Sequence, residues 1–226
     1  MKTASIQMKD TYKPRYFKGS PLGFHGDKYL LNVVDILTTK VEIFIETGTH
    51  VGSTLHYFGE RYPRIPCFGC EPYKNAFNKA KFVVQNLSNA HLFNVKSLEL
   101  FTLLKSTHSE IFSKPVLCWL DAHGGPYPRE LTKEVEFITE QFISGFLLID
   151  DFKVPHNPRF QYDVHGTQRC CIGTIRSYIQ NDYLLYYPNY SECTSSFHPL
   201  VGWGLIQFGN ELINLEDTLK YAQLGE

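Results

Sequence analysis

The sequence predicts an α/β protein built on a doubly wound, mostly parallel sheet, and three observations carry that expectation. Five short runs rich in Val, Ile, Leu and Phe recur between residues 41 and 150 and read as continuous apolar stretches rather than strict alternation. Segments with apolar residues at helical intervals separate them. Glycines and acidic residues gather where the runs end. Continuous strands alternating with helices are what a parallel sheet covered on both faces requires.

Taken in order, residues 1–40 form an N-terminal extension with one helix, 28–37, whose N-cap is Asp27. Residues 41–226 form the main domain. Its first strand spans 41–46, followed by a glycine-containing loop and a helix at 53–62. A second strand at 66–71 precedes a helix at 75–87, where Phe77, Ala80, Val83, Val84 and Leu87 share one face. A short third strand follows at 90–95, then a helix at 98–105. The fourth strand is 115–121, with a helix at 129–142 that carries Glu/Lys spacing, and the fifth is 145–150. A Pro-, His-, Asn- and Gln-rich loop runs to about residue 166, a helix covers 172–180, and two last strands fall at 183–187 and 202–208. Five β-α units and a terminal strand pair make a seven-stranded sheet.

The formal charge of −1 over 226 residues argues against a nucleic-acid partner, which selects clustered basic surface. No apolar run approaches the ~18 residues that a membrane span needs, and the N-terminus has no signal-peptide core. The expectation is a soluble, cytoplasmic protein without membrane association. The six cysteines, at 67, 70, 118, 170, 171 and 193, are expected to be free thiols, because three of them lie inside strand-like runs. Cys67 and Cys70 have zinc-like spacing, but no second ligand pair follows them.

In open α/β sheets, ligands bind where the strands end. The first strand ends in Glu46-Thr47-Gly48-Thr49-His50-Val51-Gly52-Ser53, where Gly48 and Gly52 let the backbone turn tightly and approach a ligand. This spacing differs from the Gly-x-Gly-x-x-Gly that holds a pyrophosphate, so a phosphate-free adenosyl ligand fits better. Glu71 closes the second strand, where a carboxylate can accept both hydroxyls of a ribose. A bare strand-to-helix turn would use the same glycines, and Glu46 also suits a salt-bridged strand end. Glu71 is what adds the ligand.

These residues, within 40–151, resemble the S-adenosylmethionine (SAM) motifs of class I methyltransferases, in which an acid-x-Gly-x-x-x-Gly loop wraps the amino acid part of the cofactor. The resemblance implies a Rossmann-like sheet with an antiparallel last strand, and a SAM site formed by Glu46, Thr47, Gly48, Thr49, Gly52, Ser53, Glu71, Ser97 and Asp121. Ser97 takes the adenine-contacting place after the third strand, where Lys96 departs from the family pattern.

The fourth strand ends Asp121-Ala-His123 and the fifth Asp150-Asp151, so three carboxylates emerge from strands expected to be neighbours. Within about 5 Å they would repel one another unless a cation neutralised them, and an oxygen-only set suits Mg²⁺ or Mn²⁺. Because successive strand residues face opposite ways, Asp150 and Asp151 converge only if the chain bends there. Solvent, helix N-termini or a substrate amine would also satisfy such acids. The arrangement resembles metal-assisted O-methyltransferases of the catechol, macrolide-sugar and cephalosporin-hydroxylase-like groups, which implies that Asp121, Asp150 and Asp151 are metal ligands. In that scheme Asp121 and His123 are catalytic, His123 as the base that takes a proton from a small hydroxylated acceptor such as a sugar or secondary metabolite. His123 equally suits a loop cap, and His156 and His165 read as solvated loop residues.

Tyr183, Tyr186, Tyr187, Tyr190, Phe197 and Trp203 suit an acceptor pocket or the core. The aromatic N-terminal extension also offers a docking surface for a second copy of the chain, as in a homo-oligomer. A nicotinamide-dependent oxidoreductase on a similar sheet, or a non-catalytic binding protein that keeps the fold, remains open.

Overall fold

The computed structural model describes residues 23–122, 129–155, 157–165, 167–192, 194 and 199–225. In chain order the elements are α1 (Lys28–Leu37), β1 (Ile43–Thr47), α2 (Ser53–Arg61), β2 (Cys67–Cys70), α3 (Lys74–Val84), β3 (Ala90–Phe93), α4 (Ser97–Thr107), β4 (Val116–Leu120), α5 (Arg129–Gln141) and β5 (Ser144–Ile149). Then follow β6 (Val164–His165), β7 (Gln168–Arg169), α6 (Ile172–Ile175), β8 (Tyr183–Pro188), β9 (Gly204–Gly209) and β10 (Ala222–Leu224).

One sheet of eight strands has the order β10-β8-β9-β5-β4-β1-β2-β3. Strands β3, β2, β1, β4 and β5 pair in parallel, whereas β9 is antiparallel to both β5 and β8, and β10 is antiparallel to β8. The parallel, doubly wound sheet and its antiparallel β9 match the sequence expectation. The eighth strand does not appear in that expectation. At three residues, Ala-Gln-Leu, β10 is too short for a periodicity signal, and it exists because the edge of β8 is there to pair with.

Two further differences lie beyond β5. The expected open loop contains the small β6-β7 hairpin. The helix expected over 172–180 is one turn of α-helix that tightens into a 3₁₀ turn at Arg176–Tyr178. Gly173, inside that first turn, weakens helix propagation.

Alternate residues of the parallel strands enter two separate cores, one on each face. Ile43, Ile45, Cys118 and Leu120 pack with α4 and α5, whereas Phe44, Leu117, Trp119 and Leu148 pack with α1 and α2. Leu30, Leu31, Val33, Val34 and Leu37 of α1 are all buried in the second core. At ~1.5–3 kcal/mol per buried side chain, this helix is held firmly on the sheet. Asp27 caps α1 as expected, accepting from the Tyr29 amide at 2.9 Å. Cys67, Cys70, Cys118, Cys170 and Cys171 are free thiols, and Cys193 lies outside the described residues. No described helix is long and apolar enough to cross a membrane.

Candidate active site

The crossovers leave the ends of β1, β2, β4 and β5 on one edge, and the loop after β1 builds the first half of the site. Gly48 has φ +74° and Gly52 φ +88°, with His50 between them also left-handed at φ +49°. A Cβ on Gly48 would sit 2.4 Å from the Asp121 carbonyl oxygen. The loop after β1 therefore lies directly on the loop after β4, and only glycine permits that approach. Gly52 caps α2, with Ser53 as the first helical residue.

Glu71 is buried, and its carboxylate orders this loop. Oε2 accepts from the His50 amide and Oε1 from the Tyr73 amide, both at 2.8 Å. A carboxylate has about four acceptor positions, so two amides leave capacity for ribose hydroxyls. Asn94 donates to the Glu71 carbonyl at 2.8 Å and thereby fixes the strand end beneath it.

Four buried polar atoms along this half have no hydrogen-bond partner among the described residues: Glu46 Oε2, Thr47 Oγ1, Thr49 Oγ1 and Ser97 Oγ. They fall into two groups: the Thr49 hydroxyl lies beside Glu46, and the Thr47 and Ser97 hydroxyls lie beside Glu134 on the other face of the sheet. Burial pushes the Glu46 carboxyl up to about 8, and the neighbouring Glu71 adds to the push. A cationic group set beside Glu46 would relieve that penalty. Thr47 and Glu46, adjacent in β1, serve opposite faces of the sheet. Ser97 is the first residue of α4, and the preceding Lys96 amide donates to Glu99 at 3.2 Å.

Glu134 also belongs here and escaped the sequence reading. It lies in α5 at 0% exposure, with the Thr47 and Ser97 hydroxyls beside its carboxyl group. Burial pushes it up to about 7, and the Ser97 and Thr47 hydroxyls hold the shift back. Its position was legible in the pattern, because residue 134 falls inside the apolar stripe of Leu131, Val135, Ile138 and Phe142.

The second half lies at the ends of β4 and β5. The Asp121 amide donates to the Thr47 carbonyl at 3.2 Å and the Asp150 amide to the Leu120 carbonyl at 3.1 Å, which aligns the two ends. One carboxylate oxygen from each of Asp121, Asp150 and Asp151 lies within 4.8 Å of the others. The bend that such convergence requires is present: Asp151 is left-handed at φ +48°, a conformation rare for a non-glycine residue. The Asp163 amide donates to the Asp151 carbonyl at 2.9 Å, tying the bend to the following loop.

Burial, then Asp150 and Asp151, raises the Asp121 carboxyl well above the usual range. The Asp151 carboxyl is pushed up to about 7 by burial, then by Asp150 and Asp163, while His25 pulls it back. Clustered carboxylates that hold protons in this way form a donor set that fits a small divalent cation. His123 and His156 lie outside the described residues, as do the side chain of His165 and Phe197.

His25 is the second residue that sequence reading missed. It precedes α1, and its Nε2 lies 2.6 Å from Asp150 Oδ2. Burial alone would lower the imidazole pKa, but Asp150, with Asp151 and Asp27, outweighs it and the net shift is upward from 6.5. Nothing in a lone histidine near the N-terminus announces a partner 125 residues away.

No protein-family model and no curated protein sequence matches the chain. Solved structures do. A Klebsiella pneumoniae protein described as an O-methyltransferase is 14% identical, with 80% of each chain covered and a TM-score of 0.56. A Bacillus cereus O-methyltransferase solved with S-adenosylhomocysteine is 12% identical, covering 80% of this chain and 79% of that one at a TM-score of 0.53. A Streptomyces achromogenes O-methyltransferase involved in tomaymycin synthesis, solved with SAM, is 12% identical with the same coverages and a TM-score of 0.52. At these identities the likeness establishes the fold, which is that of class I SAM-dependent methyltransferases.

Proposed function

We propose that the chain is a SAM-dependent methyltransferase that acts on a hydroxyl of a small molecule with the help of a divalent cation. The observation that carries the reading is the left-handed Gly48–Gly52 loop held by the amide-fixed carboxylate of Glu71, with the buried Glu46 carboxyl beside it. These residues would hold SAM: Glu46 would offer a carboxylate to the cofactor's ammonium, Glu71 would accept from the ribose, and Ser97, at the start of α4, would take the adenine end. When bound, SAM supplies an electrophilic sulfonium methyl group.

Asp121, Asp150 and Asp151 would hold the cation, and the chemistry it would supply is acidification of an acceptor hydroxyl. Asp121 joins the two halves through its backbone contacts with Thr47 and Gly48. It thereby keeps the acceptor side at a fixed distance from the cofactor side. His123, two residues beyond Asp121, is the proposed base for the acceptor proton.

Calorimetric titration with SAM and with S-adenosylhomocysteine tests the first half. Saturable binding is expected, weakened at least ~10-fold in Glu71→Ala, which removes a charged acceptor. No binding at millimolar ligand would overturn the reading. The second half is tested by a methyl-mass-shift screen of hydroxylated small molecules with and without chelator. Equal turnover under both conditions would remove the cation while leaving the transferase.

A further inference from the structure

We propose that His25, supplied by the segment preceding α1, is a positioning residue for the cation site: it donates through Nε2 to Asp150 Oδ2 and so fixes which oxygen Asp150 presents to Asp121 and Asp151. The inference rests on the cation reading above. A carboxylate that holds a cation can only accept from a neighbour, so at 2.6 Å Nε2 would be the donor to Asp150 Oδ2. Asp150 is 3% exposed and His25 21%, so the bond is sheltered from competing water. Left without this partner, Asp150 would be free to rotate about χ2, and the three-carboxylate geometry would loosen.

The surrounding chain is arranged to bring His25 there. Phe24, His25 and Gly26 are three consecutive left-handed residues, at φ +50°, +59° and +69°. For a bulky residue such as Phe24 this conformation is strained, and it persists only where its surroundings hold it in place. Those surroundings are visible. The Phe24 amide donates to Thr54 Oγ1 at 3.2 Å, and its ring meets Trp119 edge-on at 5.1 Å. The His25 ring also lies against Trp119, at 5.9 Å.

On the other side, Asp27 accepts from Tyr190 Oη at 2.5 Å and from Thr194 Oγ1 at 2.9 Å. Tyr190 Oη in turn accepts from Trp203 Nε1 at 2.9 Å. A capping carboxylate therefore pins the turn to the chain leading into β9, and a small cavity lined by His25, Asp150, Val201 and Trp203 lies between them. The turn, anchored on both sides, aims His25 at one buried carboxylate, and ligating carboxylates are themselves held by such hydrogen bonds.

The test is Mn²⁺ binding followed by electron paramagnetic resonance, with apo-protein melting in chelator as a check on folding. The variants are Asp150→Asn, His25→Phe and His25→Gln. Phenylalanine keeps a ring against Trp119 without the donor, whereas glutamine keeps a donor at similar reach. Wild type is expected to bind Mn²⁺ and Asp150→Asn to lose it. His25→Phe should bind ~10–100-fold more weakly, as metal sites do when a supporting partner is removed, and His25→Gln should recover most of that loss. If His25→Phe binds like wild type while Asp150→Asn does not, the positioning role is overturned and the cation reading stands. Equal weakening in the Phe and Gln variants also overturns it, because the donor would then be irrelevant. If wild type itself fails to bind at millimolar Mn²⁺, the cation reading and this inference fall together.

Discussion

The cofactor side of the sheet edge and its acidic side are assembled in different ways. Glu46, Gly48, Thr49, Gly52 and Glu71 come from one β-α-β unit, and their geometry follows from a strand end, two left-handed glycines and amides that Glu71 collects. Asp121, Asp150, Asp151 and His25 come from three separate parts of the chain, and a left-handed bend and a strained turn bring them together. The first side is local and leaves polar atoms unpaired. The second is non-local and crowds like charges. In the proposed reading, the first kind would take a ligand with donors and acceptors, and the second a cation.

The largest expected effect comes from joining the two sides' fates. Gly48→Ala would place a Cβ 2.4 Å from the Asp121 carbonyl oxygen at a φ of +74°. It should lower stability by ~2–4 kcal/mol and weaken both SAM and Mn²⁺ binding at least ~10-fold, as read by melting and titration. If only SAM binding suffers, the two sides are less coupled than their contact implies.

Next in size is the pH response of the unpaired side. Glu134 is raised from 4.5 to about 7, so its folded form retains the proton. The associated stability is present in full below about 4.5 and is lost as pH rises through about 7. The apo protein should therefore melt lower at pH 8 than at pH 5. Glu134→Gln should flatten that slope and exceed wild type at pH 8 by on the order of 3 kcal/mol. An unchanged slope that disappears on adding Mn²⁺ would instead assign the penalty to the aspartates.

The smallest effect is expected at Arg61, whose exposed guanidinium pairs with Asp35 and ties α2 to α1. Arg61→Ala should cost no more than ~1 kcal/mol and leave both ligands bound as before. A loss of Mn²⁺ binding there would mean that α1 needs this tether, beyond its buried face, to hold His25 in place.

The glycine loop and Glu71 were legible because each lies at a strand end that periodicity already locates. The three aspartates were legible as strand-end residues, but their convergence was not, since alternation places Asp150 and Asp151 on opposite faces until a bend intervenes. Glu134 was readable as a charge in the apolar stripe of a helix that otherwise shows Glu/Lys spacing. His25 carried no local signal. Expected residues such as His123 lie outside the described residues, so the site's base stays a proposal.

By itself the sequence determined the alternation of strands and helices, and with it the parallel sheet, the edge where ligands bind and the two glycines that open it. Periods of two and 3.6 residues and the stereochemistry of glycine act within a few residues, so they can be read locally. Only the tertiary structure decided the pairing of β10, the placing of Thr47 and Ser97 beside Glu134 and the reach of His25 to Asp150. Those depend on which distant segments the hydrophobic cores on the two faces bring together, and no local pattern encodes that choice.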